Sequence, residues 1–111
     1  MVDITIERRG DRYAITQDGH ADGNPELCAA VSSLIFAIAG WAHNAEGVSI
    51  DTETLEPGCS RLVFTGPGCS CDSVILLATV GFLQLQKLDN SAIRVILQGD
   101  PDFTGAKSES A

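Results

Sequence analysis

His20 and Cys28 are the two residues of this chain whose types and spacing could carry out covalent chemistry. Gly19-His20-Ala21 is separated from Cys28-Ala29-Ala30-Val31-Ser32 by a short polar loop. The thiolate is the reactive form of cysteine, and a helix N-terminus beside an imidazole stabilises it. The same helix start offers N–H groups that could hold an oxyanion during acyl transfer. A thiol and an imidazole on either side of one short loop point to a small cysteine-dependent hydrolase.

The remaining candidates are weaker. His43 falls at the end of the same predicted helix, where a charged imidazole favours the dipole. Cys59, Cys69 and Cys71 lie near turns and read as incidental thiols. A zinc site formed by them with His43 would need the usual two-to-four-residue ligand gap, which Cys69-Ser70-Cys71 does not provide. No metal or other cofactor is expected. Gly66-Pro67-Gly68 lacks the phosphate-loop form, and no GxSxG elbow is present.

The elements that must position the pair follow from periodicity. Val2, Ile4 and Ile6 alternate with polar neighbours and predict a strand over 2–8. Gly10-Asp11 is a turn, and Tyr13–Thr16 completes a hairpin. Asn24-Pro25-Glu26 is a helix start: an N-cap, a proline suited to the first position and an acid in the first turn. Leu27, Val31, Leu34, Ile38 and Trp41 then recur at helical spacing, with the end expected between Asn44 and Gly47. Strands are predicted over 48–54 and 61–65, joined by the turn Glu56-Pro57-Gly58. A second helix, capped by Ser70 or Asp72, runs to about Leu88. It is apolar almost all round, which predicts a partner subunit over part of it. Ile93, Val95 and Leu97 form a last strand, stopped by Asp100-Pro101. The order β-β-α-β-β-α-β predicts one small α+β domain over 1–104, a mixed sheet with two helices packed on it, followed by a disordered tail over 105–111.

With 111 residues the chain has room for one domain and one core. Its net charge of −8 argues against nucleic acid as partner and suits a basic peptide. The N-terminus reads as a strand rather than an export signal, and the apolar run 74–83 is shorter than a bilayer span. No membrane partner, a cytoplasmic location and reduced thiols are therefore expected.

At Gly19-His20-Ala21 and Cys28-Ala29-Ala30-Val31-Ser32 the sequence resembles the ribosomal-processing cysteine proteases (Prp family). The order of elements is similar across nearly the whole chain. The resemblance implies a Cys28–His20 dyad working through a thioester. It implies removal of a short N-terminal extension, a leader peptide, from a large-subunit ribosomal protein, by a homodimer. It places Ser32, one helical turn after Cys28, beside the dyad, and gives Gly19 the task of letting the backbone aim His20. The family pattern has an Asp three residues before the cysteine and usually a longer loop; here Pro25 holds that position, with Asp22 and Glu26 nearby.

Overall fold

Alternation decides which face of each strand is buried, and the burial follows it residue by residue. The computed structural model describes residues 1–21 and 23–99. In β1 (Val2–Arg9), Val2, Ile4 and Ile6 are buried while their neighbours are half-buried. The chain turns at Gly10 into β2 (Arg12–Asp18), whose Tyr13, Ile15 and Gln17 face the same side. After α1 (Pro25–Asn44) come β3 (Ser49–Glu56) and β4 (Cys59–Thr65), then α2 (Gly68–Leu88) and β5 (Ile93–Gly99). All seven expected elements are present in the expected order, an α+β domain. Strand ends extend a few residues past the predicted ones, because ladder partners hold them.

The strands form one sheet in the order β3-β4-β2-β1-β5. β1 pairs parallel with β5, and every other pairing is antiparallel, so the sheet is mixed. α1 contacts β3 at one margin, and α2 contacts β1 and β5 at the other. The principal extents, 39 × 35 × 17 Å, are those of two layers. Between the layers Tyr13 stacks on Phe64 with centroids 5.4 Å apart, and Trp41 meets Phe64 edge-on at 5.8 Å. Aromatic pairs in these geometries add about 0.5–1.5 kcal/mol each beyond area burial.

Three expectations change in detail. Ile35, Ala39 and Ala42 are buried in α1 along with Leu27, Val31 and Ile38, while Leu34 and Trp41 are only partly buried. Leu34 and Trp41 turn sideways toward α2, where they line an apolar groove of about 210 Å³ with Val74 and Leu77. α2 starts earlier than expected, at Gly68 after Pro67, with no side-chain cap. Asp72 is instead drawn to β1 and β2: Tyr13 donates to its Oδ1 at 2.7 Å and the Arg8 guanidinium at 3.1 Å. Leu77, Val80 and Leu88 of α2 are exposed, as expected of a helix apolar on more than one side. Both helices are long and apolar enough by composition to cross a membrane, yet each lays one face on the sheet. Asp22, residues 100–104 of the expected domain and the expected tail, residues 105–111, lie outside the described residues.

Candidate functional site

The corner where β2 ends and α1 begins is built on a glycine, a cap and a hairpin turn. Gly19 has φ +101°, and a Cβ there would fall 2.6 Å from the Met1 carbonyl oxygen. Only glycine fits this close backbone approach. The Gly19 N–H donates to the Gly58 carbonyl at 2.9 Å, tying the end of β2 to the β3–β4 turn. Gly58 itself has φ +73°, and a Cβ on it would overlap the His20 imidazole. The Nε2 end of the ring of His20, an exposed residue, therefore lies against the bare Gly58 backbone.

α1 starts one residue after Asn24, whose Oδ1 accepts from Leu27 N–H at 3.1 Å. Asn24 Nδ2 donates to Asp89 Oδ2 at 3.2 Å, linking the start of α1 to the end of α2. Hydrogen bonds from Ser91 and then Asn24 hold the Asp89 carboxyl below its usual range. Cys28 sits in the first turn, partly buried and packed against the core. Its backbone N–H donates to Asn24 O at 3.2 Å, and its thiol to Ala21 O at 3.6 Å.

This corrects one expectation about the helix start. Pro25 has no N–H, the Leu27 N–H is taken by the cap, and the Cys28 N–H is inside the helix ladder. Of the first four residues, Glu26 alone is left to offer a backbone donor to an oxyanion. The thiol is directed at the Ala21 carbonyl oxygen and away from the imidazole. The corner is thus in a resting arrangement: sulfur on Ala21, imidazole on Gly58. Among the described residues no hydrogen bond joins His20 to Cys28. The two residues nonetheless share one corner, because Ala21, which receives the thiol, directly follows His20.

Ser32 is partly buried one turn beyond Cys28. The stripe Cys28, Ser32, Phe36 and His43 runs along one flank of α1, since residues four apart share a face. His43 Nε2 lies 2.9 Å from Glu53 of β3, which fixes the direction of that flank toward β3. His43 thus pairs with a carboxylate in addition to sitting at the helix end. Cys59 and Cys69 are exposed; Cys71 is buried against Gly66, and burial raises its pKa. Among the described residues, no group of three or more His, Cys, Asp or Glu gathers as metal ligands would. Sequence reading missed Gly58 as the seat of His20. The Pro57-Gly58 signal marks a turn, but not what rests on it.

No family model and no curated protein matches the chain in sequence. Its fold matches solved structures. The ribosomal processing protease Prp from S. aureus, in complex with a covalently linked product peptide, aligns with TM-score 0.68 at 16% identity. That alignment covers 88% of this chain and all of the other, and the same protein with a substrate peptide aligns equally well. SMU.848 from Streptococcus mutans aligns with TM-score 0.62 at 21% identity, over 90% of this chain and 96% of that one. Over the full length of the Prp structures, the chain shares the fold of the Prp ribosomal processing protease.

Proposed function

We propose that the protein is a cysteine endopeptidase that trims a short N-terminal extension from a large-subunit ribosomal protein. The observation that carries this reading is the convergence of Cys28 and His20 on one corner, through Ala21, in a fold shared with a peptide-bound protease. In the working state the imidazole leaves Gly58 and takes the Cys28 proton. The thiolate attacks the scissile carbonyl, and the C–N bond breaks as His20 returns the proton to the leaving amine. Water then attacks the thioester, with His20 as base, and frees the acid and the thiol. Ser32 and Gly19 act by position: Ser32 beside the dyad, Gly19 by permitting the backbone approach that carries His20 over the turn. The acidic chain suits a basic leader peptide, and the four free cysteines suit a reducing, cytoplasmic setting. Exposed Leu77, Val80 and Leu88 suit a homodimer, which sedimentation at micromolar concentration tests directly.

The deciding experiment compares cleavage of ribosomal-protein leader peptides by wild type and Cys28→Ala. Turnover by wild type alone is expected; equal turnover by both rejects the reading. A second reading, a binding module of the same fold, is favoured by the resting arrangement, with sulfur and imidazole turned to different partners. It predicts that Cys28→Ser captures the partner as well as wild type does and that neither yields product.

A further inference from the structure

β3 is one margin of the sheet: among the described residues its far side has no strand neighbour. Eight residues long, Ser49–Glu56 is mostly exposed and carries Asp51, Glu53 and Glu56 with no Lys or Arg. A long free edge is a template for another extended chain. This one discriminates by charge. A second copy of β3 would set carboxylates against carboxylates, which is destabilising, whereas a basic strand would set unlike charges together.

The edge also leads to the reactive corner. β3 ends at Glu56, two residues before Gly58, on which the His20 imidazole rests. A strand added to β3 would lie about 4.8 Å beyond it. The flank of α1 that faces β3 would then overhang that strand, with Cys28 at one end, Phe36 midway and His43 at the other. Phe36 is 54% exposed, so its ring is open to a side chain that packs on it. A peptide in this track would have alternate side chains on its two faces. Those under α1 would meet Phe36 and favour apolar types; those on the open face would run beside Glu56, and beside Asp51, whose carboxylate also faces Thr65 and Arg12, and favour Lys or Arg.

We propose that β3 is the docking strand for the substrate: an extended peptide with alternating apolar and basic residues adds to its free edge and is thereby led to Cys28. This deepens the protease reading and rests on it.

The test measures binding by fluorescence anisotropy to full-length Cys28→Ala, which cannot cleave. The probe is a labelled peptide as long as β3, eight residues, with lysine alternating with valine or phenylalanine. Two derivatives carry N-methyl groups on alternate backbone amides, one set in each phase. In an added strand one phase donates to β3 and the other to solvent. One derivative should bind at least about tenfold more weakly and the other within about twofold of the parent, since each lost bond is worth about 1 kcal/mol. Glu56→Lys should weaken the parent several-fold, and a glutamate-for-lysine peptide should bind more weakly still. Equal loss for both derivatives, or equal binding of the acidic peptide, overturns the proposal. Leader cleavage by wild type without a phase effect would sink strand docking and leave the protease reading standing. A phase effect without cleavage would do the reverse.

Discussion

The imidazole of His20 rests on the bare Cα of Gly58, 38 residues further along the chain, in the β3–β4 turn. The Gly19 N–H to Gly58 carbonyl bond, 2.9 Å, locks that approach from the other side. The base of the proposed dyad is therefore seated by the β3–β4 turn rather than by its own loop.

Gly58→Ala follows directly. The new methyl overlaps the ring, and the positive φ of +73° is strained for alanine. The cost in stability is expected to be about 1 kcal/mol or more. Because the ring must move, its NMR resonances should shift. If His20 is the working base, leader-peptide turnover should also change by more than the stability loss explains. Unchanged His20 resonances would contradict this seating.

Thiol labelling should rank the four cysteines. Cys59 and Cys69 are exposed, Cys28 is partly buried, and Cys71 is buried with its pKa raised by desolvation. Iodoacetamide followed by peptide mass mapping should find Cys71 modified last across the neutral range, because both access and thiolate fraction are lowest there. Early labelling of Cys71 in the folded protein would show that α2 opens at its start.

Asn24→Ala removes the Leu27 cap and the link to Asp89 together. Loss of an N-cap costs about 1 kcal/mol, measurable by urea denaturation. Asp89 adds a pH signature. Its folded pKa lies below the unfolded value, so its contribution is present above about pH 4 and is lost as pH falls further. In Asn24→Ala that acid dependence should become shallower, since one of the two side-chain donors is gone. An unaltered acid limb would assign the effect to Ser91 alone.

Tyr13→Phe tests the opposite end of the pH scale. Burial first, then the hydrogen bond to Asp72, raises the Tyr13 pKa above 10. A raised pKa means that the folded state holds the proton more tightly. The contribution is complete below about pH 10 and is lost as the pH rises above that. The variant should lose about 1 kcal/mol near neutrality and show a flatter alkaline limb in thermal melts. Equal alkaline sensitivity in both proteins would place the titrating group elsewhere, with Cys71 the next to examine.

Local chemistry made much of this protein legible in its sequence. Strand alternation at Val2, Ile4 and Ile6 and the Asn24-Pro25-Glu26 start depend on neighbours a few residues apart, so they could be read without a fold. The Gly-His-Ala and Cys-Ala-Ala-Val-Ser pieces likewise named the candidate pair. What the tertiary structure decided were relationships across long separations. Asp72 was available as a helix cap, but Tyr13 and Arg8, brought alongside by β1 and β2, claim its carboxylate. The Cys28 thiol faces Ala21, His20 lies on Gly58, and β3 falls at the margin of the sheet beneath one flank of α1. Sequence spacing sets which residues can share a turn of helix or a face of a strand. Which hairpin closes over which helix start is set by burying one common core, and that choice belongs to the chain as a whole.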